Sequence, residues 1–216
     1  MTNKKKKETL SKLDKLFLKA QKKLAMSNCS TKKMKEYLKK NGGTKEEISE
    51  VTNKLRKYSF LNEEELVKEV ISYCDAKHYG YNRIISMLKT REVDENLVLK
   101  IKKDDVREEK ESIELTKRLI KRYKNKNTLN LKRNIYSALI RYGFDANLAS
   151  IRAEEVHISH QQELNVLELD YKKLLSSNAR KYKSSSSNKK IKDTLLSKGY
   201  KLNDIRKVEN KIYEMD

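Results

Sequence analysis

Residues 34–48 read MKEYLKKNGGTKEEI, and these fifteen residues decide the fold. Met34 and Leu38 lie four apart, so they share one face of a helix. Gly42, four residues past Leu38, supplies the positive φ that ends a helix. Thr44-Lys45-Glu46-Glu47 has the form of a capping box, in which each end satisfies an orphan N–H of the other. Ile48 is the first apolar residue of the helix that follows. Helix, tight turn and helix are thus written in one short stretch.

The pattern recurs. Ile84-x3-Leu88, Ile135-x3-Leu139 and Ile191-x3-Leu195 repeat the pair, and the leucines are 50, 51 and 56 residues apart. Four residues after each leucine come Gly42, Glu92, Gly143 and Gly199, so three of the five glycines occupy one repeat position. Asp94, Asp145 and Asn203 are expected to cap as Thr44 does. Apolar residues then follow at Val98, Leu148 and Ile205. A longer amphipathic helix precedes each pair. Its stripe is Leu10, Leu13, Phe17, Ala20 and Leu24 in the first copy. It is Leu66, Val70 and Tyr73 after Asn62 in the second, and Ile113, Ile120 and Tyr123 from near Val106 in the third. In the fourth it is Leu164, Leu167, Tyr171 and Leu174.

These elements predict an all-α chain of about four tandem three-helix repeats: 9–60, 61–104, 105–157 and 158–214. A serine-rich loop is expected at 183–188. A unit of about 50 residues buries little alone and leans on its neighbours. The expected shape is therefore an elongated, curved array. Glu92, standing where the others have glycine, marks the second unit as the least regular.

Composition agrees with helices. The 216 residues contain no proline, 37% are apolar and 38% are charged. Proline is the residue that most often breaks helices. Cys29 and Cys74 are far apart and outside any C-x-x-C spacing, which points to a reducing compartment. Neither an apolar run of membrane-spanning length nor a signal core is present, so a cytoplasmic monomer is expected, with no membrane contact.

The net charge of +20, from 51 basic and 31 acidic residues, calls for a polyanionic partner. It is unevenly spread. Leu115 to Phe144 holds nine basic residues and no acid, and Tyr171 to Lys192 holds eight and no acid, whereas Glu46 to Glu69 holds seven acids. Uniform composition bias does not empty thirty residues of acid while crowding acids elsewhere. Candidate contact residues are Lys121, Arg122, Lys132, Arg133 and Arg141 in the third unit. Arg180, Lys181, Lys189 and Lys190 are the candidates in the fourth. Their expected role is electrostatic attraction rather than base readout. Most interleaved tyrosines (Tyr123, Tyr136, Tyr142, Tyr171, Tyr182) fall on apolar stripes and are read as core.

Catalytic chemistry has no foothold. The chain lacks phosphate-cradling, dinucleotide and nucleophile-elbow motifs. His157-x2-His160 would share a helix face, but no cysteine is nearby and Glu154, Glu155 and Glu163 are read as ordinary helix residues, so no metal and no cofactor is expected. Cys74 and His78, four apart, are read as packing. The chain is expected not to be an enzyme.

Residues 36–88 carry a resemblance. They read EYLKKNGGTKEEISEVTNKLRKYSFLNEEELVKEVISYCDAKHYGYNRIISML. A helix ending in Leu38 and Gly42 is followed by Ile48, Val51 and Leu55 at helical spacing. Next come the step Phe60-Leu61-Asn62, a helix running to Gly80, and Ile84-x3-Leu88. Tyr142-Gly143-Phe144 and Lys198-Gly199-Tyr200 repeat a glycine–aromatic turn. This pattern resembles the RecX family, over roughly residues 9 to 213. Arg91-Glu92-Val93 departs from it at the turn glycine, and Ser27-Asn28-Cys29-Ser30 lacks the basic cluster often found before the second helix. The resemblance implies a modulator of RecA. Such a protein sits in the helical groove of the RecA filament on single-stranded DNA and lowers its ATPase and strand-exchange activity. Two other readings stand beside it: a direct DNA binder without a RecA partner, and a helical scaffold joining other proteins.

Overall fold

The computed structural model describes residues 10–179 and 186–214, and all regular structure among them is helical. The chain divides into two compact units, Met1–Asp105 and Val106–Asp216.

The first unit holds α1 (Lys12–Met26), α2 (Thr31–Lys40), α3 (Lys45–Lys57), α4 (Glu63–Lys77), α5 (Tyr81–Thr90) and α6 (Glu95–Leu99). Leu16, Ala20, Leu24, Met34, Leu38, Val51 and Leu55 form one core across α1–α3, which Leu61 closes. Leu66, Val70, Cys74, Ile84, Leu88, Val93 and Val98 form another across α4–α6.

The second unit holds α7 (Asp105–Arg122), α8 (Thr128–Arg141), α9 (Ala146–Glu154), α10 (His160–Ala179), α11 (Ser186–Ser197) and α12 (Leu202–Tyr213). The core of α7–α9 is built on Leu115, Leu119, Leu131, Ile135, Leu139 and Phe144. That of α10–α12 is built on Leu167, Tyr171, Ile191, Leu195, Ile205 and Val208. All eight residues of the recurring x3 pairs are buried. Burying them removes apolar surface from water at roughly 25 cal/mol per Å², and this holds each small core together.

The turns follow the sequence closely. Gly42, Gly143 and Gly199 have φ of +84°, +97° and +92°. Thr44 and Glu47 form the complete capping box, and Asp94 and Asp145 cap α6 and α9 through their side chains.

Several expectations need correction. Glu92 does not disturb its turn: it takes the same left-handed conformation, at φ +57°, and the Val93 N–H donates to the Leu88 carbonyl. The irregularity lies one element later, in the five-residue α6. Asn203 is not a cap. Counting from Gly199 puts Lys201 at that position, with no side-chain cap bond. Along α4 the third buried residue is Cys74, while Tyr73 points outward, because Leu66 and Val70 continue by four. The α7 stripe runs through Ser112, Leu115 and Leu119, leaving Ile113 and Ile120 at its edges and Val106 exposed. Leu10 is exposed as well, and Leu16 takes the core place beside Ala20. Of the serine-rich loop, residues 183–185 lie outside the described residues, and Ser186 to Asn188 open α11.

Candidate interaction surface

The basic residues of the third expected repeat are carried by α7 and α8. Lys121 and Arg122 stand in the last turn of α7, where cations complement the helix dipole. Both are exposed, and the Arg122 guanidinium lies 5.9 Å from the Tyr123 ring centre.

The start of α8 is fixed by polar contacts. Asn127 accepts the Asn130 N–H at 3.0 Å and donates through Nδ2 to the Lys198 carbonyl at 2.6 Å. The Thr128 N–H and hydroxyl both donate to Glu163, at 3.3 and 2.8 Å. From there α8 buries Leu131, Ile135, Ala138 and Leu139. Its flank toward α9 carries Leu129, Arg133, Tyr136 and Ile140, spaced by four, three and four. Leu129, Tyr136 and Ile140 are 38%, 39% and 40% exposed. Tyr136 is therefore not core. It follows Ile135 by one residue, or 100° of helix, and the spacing alone was enough to place it off the stripe.

Between α8 and α9 lies a groove of about 270 Å³ lined by Leu129, Lys132, Arg133, Tyr136, Ala153 and Glu154, among others. Lys132 donates to Glu154 Oε2 at 2.7 Å. That hydrogen bond, with the charge behind it, holds the Glu154 carboxyl below the usual carboxylate range. Lys132 is thereby engaged within the chain. Arg133 is exposed and makes no ion pair among the described residues. Arg141 is exposed too. It follows Lys132 by nine residues, about two and a half turns, and so lies on the opposite side of α8. Lys132 and Arg133 both line the groove, and Arg141 is not among its lining residues.

In the fourth expected repeat, Lys189 and Lys190 are exposed near the start of α11. A helix N-terminus disfavours cations, so helix stability does not account for them. Arg180, Lys181 and Tyr182 lie outside the described residues. Tyr171 is buried and donates to Glu209 at 3.3 Å, while Tyr123 and Tyr142 are half-buried.

The histidine pair is not on one helix. His157 lies in the link before α10, and His160 opens that helix with Nε2 3.6 Å from Asp204. Among the described residues no group of three His, Cys, Asp or Glu side chains could hold a metal. Cys74 is buried, with its thiol 3.7 Å from the Met87 sulfur. His78 ends α4 in a left-handed conformation. No helix among the described residues is long and apolar enough to cross a membrane.

No family model matches the chain. It is 25% identical over 181 residues to the regulatory protein RecX of Bacillus subtilis strain 168, covering 80% of this chain and 67% of that protein. It also aligns with the crystal structure of RecX from Lactobacillus salivarius at a TM-score of 0.55 and 20% identity, covering 66% of this chain and 95% of that one. The second likeness concerns the fold, a helical repeat, and the first concerns the sequence. Recurring turn, helical architecture and both likenesses agree: in sequence and in fold this chain is similar to RecX regulatory proteins.

Proposed function

We propose that this protein regulates RecA without itself being an enzyme. It binds in the helical groove of the RecA filament on single-stranded DNA and lowers ATP hydrolysis and strand exchange. Similarity to RecX in sequence and in fold carries this reading. The distribution of charge supports it: Lys121, Arg133, Arg141 and Lys189 are exposed and without an ion pair among the described residues. Such cations attract acidic filament surface, bound DNA, or both. Lys132 contributes less, because Glu154 already neutralises it. In the same proposal the chain acts as an array of repeats, 9–60, 61–104, 105–157 and 158–214, each adding contact area.

The test is a titration of RecA ATPase on single-stranded DNA. Inhibition at less than one chain per RecA subunit is expected, and Arg133→Glu and Arg141→Glu together should weaken it. Unchanged ATP turnover at saturating protein would refute the proposal.

The net charge of +20 favours one alternative, a DNA binder that affects RecA only by competition. It predicts a log–log salt slope near roughly −0.7 per phosphate contacted on single strands. Tight binding to preformed filaments, at salt that abolishes binding to bare DNA, excludes it.

A further inference from the structure

We infer that the α8–α9 groove is a protein-docking site that takes an apolar or aromatic side chain from an acidic segment of the partner. The segment's carboxylate would lie on Arg133.

Shape is the first argument. At about 270 Å³ the groove falls below the roughly 300–1,000 Å³ usual for small-molecule sites and suits a single anchoring side chain. Leu129 and Tyr136 line it and Ile140 continues the same stripe of α8, over twelve residues in all, each of the three more than a third exposed. Aligned apolar side chains at a surface mark an interaction site in a way that scattered ones do not.

The groove is also built in advance. Leu129 packs so closely on Gly199, at the α11–α12 turn, that a Cβ there would stand 2.7 Å from Leu129 Cδ2. One wall is thereby held in place before any partner arrives, which lowers the ordering cost of binding.

Charge selects the occupant. Glu154 is the one acid lining the groove, and Lys132 already engages it. Arg133 is left as an unmatched guanidinium, whose planar fork suits a carboxylate. A nucleic-acid backbone asks instead for a row of free cations, and here a single one stands beside an apolar floor. An acidic protein segment with an apolar anchor is the better fit.

That the partner is RecA rests on the function proposed above; the groove's preference does not, so two probes separate them. The first is a blocked Glu-Glu-Phe-Glu peptide, followed through the methyl resonances of Leu129, Ile140 and Ala153 in the full chain. These methyls should shift, at least tenfold less readily with the Glu-Glu-Ala-Glu peptide or in Tyr136→Ser. No response at millimolar peptide, or an equal response to the alanine peptide, overturns the docking inference whatever RecA does. The second probe is the RecA filament on single-stranded DNA, at salt that abolishes binding to bare DNA. Tyr136→Ser and Arg133→Glu should each weaken binding at least tenfold. Arg133 is exposed and unpaired, so its variant keeps this arm decisive should Tyr136→Ser fold poorly. Filament binding within twofold of wild type in folded variants overturns the groove as the RecA contact. If the wild-type chain ignores the filament while its groove takes the phenylalanine peptide, the RecA proposal falls and the docking site stands.

Discussion

Glu163 holds Thr128 at two points, accepting the backbone N–H at 3.3 Å and the hydroxyl at 2.8 Å. The first unit has a counterpart. There Glu63 accepts the Thr31 N–H at 2.9 Å, and its second oxygen accepts the Asp94 N–H at 2.8 Å. In both units a glutamate at the start of one helix triplet satisfies the first residue of the middle helix in the preceding triplet. Carboxylates are favoured there because the first N–H groups of a helix lack intrahelical partners and carry its positive pole.

Glu63→Ala leaves two N–H groups without their charged acceptor. A loss of about 1–3 kcal/mol is expected, read by urea denaturation. Hydrogen exchange should quicken at the N-termini of α2 and α6. Unchanged protection there would mean that water replaces the carboxylate without cost.

Gly42 and Gly199 separate backbone strain from crowding. Both have positive φ, but a Cβ at Gly42 meets nothing within 4 Å, whereas one at Gly199 meets Leu129. Gly42→Ala should cost about 1 kcal/mol from the left-handed conformation alone. Gly199→Ala should cost at least about 1 kcal/mol more by overpacking. Equal losses in chemical denaturation would show that Leu129 moves aside freely.

Acid should weaken the α10–α12 core. Lys172 and Lys211 each donate to Glu168 at 2.7 Å and pull its carboxyl down from 4.5 to about 2. A depressed carboxyl stabilises the fold above its unfolded value, and that stabilisation fades as pH falls from about 4.5 toward 2. Glu168→Gln should flatten this dependence and cost up to about 1 kcal/mol at neutral pH, allowing for solvent screening. An unaltered acid profile would refute the assignment.

Alkali acts on the same core through tyrosine. Tyr200 donates to Asp170 at 3.0 Å, and burial, with that carboxylate second, raises its phenol well above the ordinary range. Tyr171 is raised by burial and then by Glu209. A raised value keeps the stabilising neutral form in the fold, so stability is lost as pH rises above the unfolded value near 10. Absorbance at 295 nm should show both phenols ionising only as the fold opens. Tyr200→Phe should remove its share of the alkaline loss, and ionisation of all phenols near pH 10 in the folded protein would contradict this.

Charge reversal should distinguish neighbours on α8. Arg133→Glu removes an unmatched cation, whereas Lys132→Glu also places two carboxylates together by losing the Glu154 pair. Filament binding should fall more in the first variant, and thermal stability more in the second. The opposite ranking would show that Lys132 leaves Glu154 to meet the partner.

Much of the fold was legible because it is local. The x3 pairs, the left-handed glycines and the caps at Thr44, Asp94 and Asp145 depend on residues within one or two turns of each other, and each appears as read. Asn203 failed because the cap is counted from the turn, and that count ends on Lys201. The candidate surface was less legible. Sequence supplied Lys132 and Arg133 as equals, but Glu154, twenty-two residues from Lys132, makes one a partner within the chain and leaves the other free.

The sequence by itself determined that this chain is helical, where its turns fall and where its positive charge gathers, since helical period, glycine and cap chemistry act over short range. Tertiary structure alone decided that Glu63 and Glu163 serve another triplet's helix. It also decided that Leu129 lodges against Gly199 and that Tyr136 faces a groove. Those outcomes join residues thirty or more positions apart, or turn on which flank of α8 meets α9, and they are settled only when the cores close.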